Sequence, residues 1–146
     1  MCSFDDPRVL ALIEALTDEL ADEGYTAEQT FGYSPEQLAA SGVHLVGAVV
    51  GDALVGIGGV EVQADGYAEL KRFYVAPEHR GTGAADAVMA ALLEHAHASG
   101  VGVVRLETGD KQQAAIGFYA RHGFTVVDRF PPYLESATSV CMARSL

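Results

Sequence analysis

The run Arg80-Gly81-Thr82-Gly83-Ala84-Ala85 points most directly at chemistry. Glycines and alanines let a ligand approach the backbone, and a helix opening there presents N–H groups that have no partner within the helix. Such groups hold a pyrophosphate or another anion, helped by the positive end of the helix dipole. Arg80 adds a charge beside them. Two familiar anion loops do not fit. The dinucleotide fingerprint needs a third glycine at position 86, which is Asp86, and no Gly-Lys-Ser/Thr run exists for a P-loop. Just upstream, Glu69 and Lys71 share one face of an extended segment and Arg72 points to the other. Arg72 could hold the carboxylate of a substrate, as an amino acid would require. His95 and His97 lie two apart in a helical pattern, the wrong spacing for joint metal ligation, and His79 reads as a surface loop residue, so no metal is expected.

Elements must hold these residues in place. Residues 69–75 read as a strand closed by Pro77, which cannot donate to a ladder. From Ala84 the apolar positions Ala85, Val88, Met89, Leu92 and Ala96 have helical spacing, and Ser99-Gly100 stops the helix. Residues 103–108 form the next strand. Asp5-Asp6-Pro7 opens an N-terminal helix with an apolar face through about Asp22, ended by Gly24-Tyr25. Residues 26–33 read as loop, and Ser34-Pro35-Glu36-Gln37 as a capping box for a short helix to about Ala40. Residues 44–50 and 53–62 make a hairpin over Gly51-Asp52, Asp65-Gly66 turns again, and residues 67–75 complete a meander. Gly56, Gly58 and Gly59 inside a strand predict a bulge or a close backbone approach. A helix over about 112–122, a strand over 124–128, an extended Pro131-Pro132 loop and a last strand over 139–143 follow.

Arg80-x-x-Gly83-x-Ala85 after a strand ending Val75-x-Pro77 resembles the acetyl-CoA loop of the GNAT superfamily of N-acetyltransferases. A second stretch, Ala115-Ile116-Gly117-Phe118-Tyr119-Ala120-Arg121-His122-Gly123-Phe124, is similar to that family's helix carrying a Tyr and ending in Gly-Phe. The resemblance covers residues 44–130 well, the first 40 poorly and the last 15 only in outline. It implies an α/β fold, a mixed and mostly antiparallel central sheet with helices on both faces. The strand with which members usually begin could come only from residues 2–4, so it is short or absent here.

The resemblance also implies roles. Acetyl-CoA would be the co-substrate. The backbone of Gly81, Thr82, Gly83, Ala84 and Ala85 would hold its pyrophosphate, with Arg80 adding charge. Phe73, Tyr74 and Val75 would pair with the pantetheine arm through their backbone. Gln112 stands where members often have an Asn that contacts that arm. Tyr119 falls at the position of the general acid; the plain alternative is a core aromatic beside Ile116. Glu69 is the expected base, acting with a raised pKa or through water, against the alternative of an exposed strand residue paired with Lys71. Tyr25, Phe31 and Tyr33 either line the acceptor site or pack on the sheet. Tyr133 and Glu135 are further acceptor-side residues. The implied reaction is transfer of acetyl to a primary amine of a small molecule by direct attack in a ternary complex. The alternatives are a protein or peptide N-acetyltransferase and a catalytically silent CoA-binding sensor.

Length and composition bound these readings. A chain of 146 residues with 49% hydrophobic content predicts one globular domain over 1–146. Residues 1–70 hold 13 Asp/Glu and a single basic residue, Arg8, whereas residues 71–146 carry 8 Lys/Arg and 7 Asp/Glu. That balance argues against nucleic acid as a partner. The acidic half either steers a cationic co-substrate or serves solubility alone. No apolar stretch is long enough for a membrane span, and the N-terminus lacks a signal-peptide pattern. Cys2 and Cys141 are far apart and fit two free thiols in a reducing cytoplasm. A homodimer stays open.

Overall fold

The computed structural model describes residues 2–26 and 35–146. Helix α1 (Pro7–Asp22) starts where Asp6 accepts the Arg8 N–H at 2.9 Å, with Pro7 in the first turn, and it buries Val9, Ile13 and Leu16. Helix α2 (Pro35–Ala40) follows; Ser34, its expected cap, lies outside the described residues. Strands β1 (His44–Val50), β2 (Ala53–Val62) and β3 (Tyr67–Val75) form the meander, with the bounds the turn residues predict. A short 3-10 turn (Pro77–His79) leads into helix α3 (Ala84–Ala98). Strand β4 (Val103–Gly109), helix α4 (Gln113–Arg121), strand β5 (Thr125–Val127) and strand β6 (Ser139–Ser145) complete the chain. Residues 2–4 form no strand; a single bond from the Cys2 N–H to the Leu45 carbonyl ties them to β1.

The six strands lie in the order β1-β2-β3-β4-β6-β5. Only β3 and β4 are parallel, joined by the crossover through α3; every other pair is antiparallel. Two apolar clusters flank the sheet. One packs Val88, Met89, Leu92 and Ala96 of α3 and Tyr119 of α4 against Val60, Leu70, Val104 and Met142. The other packs Val9, Ile13 and Leu16 of α1 and Leu38 of α2 against Leu45, Ile57 and Tyr74. Helices thus cover both faces, as the resemblance implies. No helix among the described residues is long and apolar enough to cross a membrane.

The β2 glycines serve close approach. A β-carbon on Gly58 would come within 2.8 Å of both Leu92 and Val88, so its absence lets α3 settle on the sheet. At the same place the β2–β3 register shifts between Ile57 and Gly59. Gly59 pairs with Lys71 and Ile57 with Tyr74, leaving Arg72 and Phe73 as the bulged residues of β3. Arg72 sits at φ 54, the one non-glycine among the described residues with positive φ.

Candidate active site

Strands β3 and β4 pair over only three residues each, Tyr67, Ala68 and Glu69 with Val103, Val104 and Arg105. Beyond Glu69 the ladder ends and the two strands part; the bulge at Arg72 and Phe73 lies on the parted stretch of β3. The gap is a groove of about 460 Å³. Phe73, Tyr74 and Val75 form one wall, Ala115, Phe118 and Tyr119 of α4 the other, and Gly81 and Ala85 close one end.

The closing end is the loop singled out from sequence. Gly81 and Gly83 hold φ of 79 and 91, and a β-carbon on either would meet nothing within 4 Å. The backbone there is open to a ligand, and such φ values suit glycine alone. Gly83 precedes the first turn of α3, and the first helical bond runs from the Ala87 N–H to the Gly83 carbonyl. The N–H groups of Ala84, Ala85 and Asp86 therefore have no partner within the helix. Thr82 Oγ1 donates to the His79 carbonyl and stiffens the turn. Asp86 bonds His122 of the α4 end at 2.8 Å. Arg80 donates from Nε to the Val75 carbonyl and pairs with Glu19 of α1, both at 2.9 Å. Lys111 and Arg121 also line the groove. One end bearing unpaired helical N–H groups with Arg80 beside them, and a half-apolar channel leading from it, fit a phosphate-bearing ligand with an extended arm.

A second, smaller cavity of about 100 Å³ adjoins the groove. Leu16, Phe73, Gln112 and Tyr119 border both. Tyr119 is only 8% exposed, with its ring edge-on to Phe73 and Phe124. Burial first, and the charge of Glu107 second, push its phenol pKa up, so the hydroxyl keeps its proton at neutral pH. Glu107 of β4 lines the small cavity. Its carboxyl is pushed up to about 7 by burial, with Glu69 adding to the rise, while the bond from Ser139 Oγ at 2.5 Å and Lys71 oppose it. Gln112 accepts from Thr108 Oγ1 at 2.7 Å. Tyr25 also lines this cavity: its hydroxyl accepts the Lys111 N–H at 2.7 Å and donates to Asp110 at 3.0 Å. Gly109 leaves no room for a β-carbon against the Tyr25 ring.

The expected cofactor residues Phe73, Tyr74, Val75, Arg80, Gly81, Ala85 and Gln112 line the groove; Thr82, Gly83 and Ala84 do not line it, and lie between Gly81 and Ala85 in the turn and first residue of α3. Arg72 lines the small cavity. Glu69 is 2% exposed, which corrects the alternative of an exposed strand residue, although its pairing with Lys71 at 3.2 Å is present. Its carboxylate also accepts from Tyr133 at 2.6 Å and Gln63 at 3.0 Å, and it borders neither cavity. Tyr133 is buried in that bond, and Glu135 is exposed. Phe31 and Tyr33 lie outside the described residues. His95 stacks on His44 of β1 at 3.7 Å. Sequence reasoning misses Glu107, Lys111 and Arg121. For Glu107 the available signal is a lone carboxylate in an apolar strand between the two chemistry-bearing stretches.

Comparison with known proteins bears on this geometry. The model of the Acetyltransferase (GNAT) family matches residues 11–124. An IAA acetyltransferase of Azospirillum brasilense is 31% identical over 139 residues, 94% of this chain and 90% of the relative. A solved Klebsiella pneumoniae protein held to be an acyl-CoA N-acyltransferase superposes with a TM-score of 0.80 at 31% identity, over 99% of this chain and 94% of that one. The PaiA N-acetyltransferase of Thermoplasma acidophilum, solved with coenzyme A, gives a TM-score of 0.81 at 19% identity, over 99% and 96% of the two chains, a likeness of fold.

Proposed function

This chain belongs to the Acetyltransferase (GNAT) family, and from that premise we propose that it moves the acetyl group of acetyl-CoA to a primary amine of a small molecule, by direct attack in a ternary complex. The observation that carries the proposal is the position of Tyr119, at the junction of a long groove with a phosphate-type end and a small cavity holding a carboxylate. A junction of that kind suits two substrates that must meet. The small cavity, of about 100 Å³, favours a compact acceptor over a peptide, and the relative named an IAA acetyltransferase points the same way.

Acetyl-CoA, when bound, would supply an activated thioester carbonyl and a thiol leaving group. The N–H groups of residues 81–86 and the Arg80 side chain would hold its pyrophosphate. The free edge of Phe73, Tyr74 and Val75 would take the pantetheine arm and aim a backbone N–H at the carbonyl oxygen, where negative charge develops. An amine attacks only when neutral. Glu107, with its carboxyl near 7, is suited to remove a proton from an ammonium at physiological pH, whereas an ordinary glutamate is too weak a base. As the C–N bond forms and the C–S bond breaks, Tyr119 gives its phenolic proton to the departing sulfur. The proton shed by the new amide nitrogen restores it. Glu69, the base expected from sequence, would act one step back, its buried charge helping to keep the Glu107 carboxyl high.

Thiol release measured with a panel of small amines and peptides, beside acetyl-CoA calorimetry, tests this reading. Turnover of small amines is expected. Turnover of peptides alone would make the acceptor a protein, and binding with no turnover would make the chain a CoA-binding sensor.

A further inference from the structure

We propose that the acceptor is an aminocarboxylate, with Arg72 binding its carboxylate while Glu107 receives its amine; the inference rests on the acetyl-transfer reading above and specifies its second substrate. Among the described residues that line the small cavity, Arg72 is the one cation and Glu107 the one carboxylate. The rest of the wall sets the polar groups of Tyr25, Thr108, Gln112 and Tyr119 among Leu16, Leu20, Leu70 and Leu106. Arg72 and Glu107 are both half-buried, and a charge partly withdrawn from solvent attracts an opposite charge more strongly than it would in bulk water. One cation and one carboxylate on the neighbouring strands β3 and β4 match a ligand that itself carries one charge of each sign.

The backbone is bent to place Arg72 there. In a regular strand, successive side chains point to opposite faces. The bulge breaks that alternation, so that Arg72 and Phe73, neighbours in sequence, both line the cavity. Within the bulge Arg72 holds a left-handed φ of 54. Non-glycine residues in that region are strained, and such strain collects at functional sites. An arginine fits the task better than a lysine, because its planar fork meets a carboxylate with two parallel bonds and stays charged when partly buried. Burial lowers the Arg72 pKa from its ordinary value, in the sense expected for a cation set into this wall. The charge of the whole molecule agrees. With 13 acidic side chains and one basic in residues 1–70, a purely anionic acceptor would be repelled, whereas a zwitterion has no net charge.

The test compares amino acids with their own amides, and with alkylamines of matched length, in the thiol-release assay. Wild type is expected to favour each amino acid over its amide by about 10–100-fold in kcat/KM, carried mainly by KM, since losing one bidentate charged contact is worth that much. In Arg72→Gln the ratio is expected to fall to about 1, and in Arg72→Lys to an intermediate value. The wild-type comparison needs no variant to fold. Equal or better turnover of amides and plain amines, or an unchanged ratio in Arg72→Gln, overturns this inference alone. Release with none of the amines overturns the acetyl-transfer reading together with it.

Discussion

Replacing Glu107 by Gln should make the enzyme slower and the protein more stable, and both effects should depend on pH. The Glu107 carboxyl rises from 4.5 to about 7 in the folded chain. That rise corresponds to about 3 kcal/mol of native-state penalty on the ionised form, and screening by water in the cavity reduces it to about 1–3 kcal/mol. The sign follows from linkage. A folded pKa above the unfolded one gives a contribution to stability that is fully present below about 4.5 and is lost as pH rises through about 7. The substituted amide cannot ionise, and its oxygen can still accept from Ser139. At pH 8 the variant should therefore melt about 3–8 °C above wild type, with the gap closing as pH falls toward 5. Thermal melts across that range read this directly. In kinetics, the wild-type kcat/KM should rise through an apparent pKa near 7. The variant should lose that limb and fall by about 10²–10⁴-fold. A variant no more stable than wild type at pH 8, or one that keeps the acid limb, would refute the assignment of Glu107 as a buried base.

Other substitutions probe the frame around the site. Gly83→Glu should abolish acetyl-CoA binding in calorimetry while circular dichroism stays unchanged, because a charged side chain would stand in the open space before the α3 N–H groups. Gly58→Ala should destabilise by about 1–3 kcal/mol in urea titration, since its methyl must displace Leu92 and Val88. Tyr25→Phe should cost about 1–3 kcal/mol by the same measure, because the Lys111 N–H loses its acceptor, and it should raise the acetyl-CoA Kd by loosening Gln112.

The elements are largely legible in the sequence because their punctuation is local. Asp6-Pro7, Gly51-Asp52, Ser99-Gly100 and Gly123 each set a boundary through their own backbone preferences. The phosphate-type end of the groove is legible for the same reason, being built by consecutive residues. The small cavity is not, because it depends on two strands parting. Glu107 and Glu69 are both carboxylates in strands, and only the divergence of β3 and β4 decides which one faces the cavity. The glycines of β2 forecast a bulge, but not that it would carry Arg72 and Phe73 to the same side. The Tyr25 clamp joins residues 85 apart in sequence, and the spacing of neither end announces the other.

The proposed mechanism turns on Tyr119 protonating the departing sulfur where the groove and the cavity meet. Tyr119→Phe removes one oxygen and keeps the ring packed on Phe73 and Phe124. Single-turnover thiol release at saturating acetyl-CoA and acceptor isolates the chemical step from product release. The expected rate is about 10²–10⁴-fold below wild type, with the acetyl-CoA Kd nearly unchanged. A single-turnover rate within a few-fold of wild type would contradict it, and would leave Tyr119 a packing residue of the core.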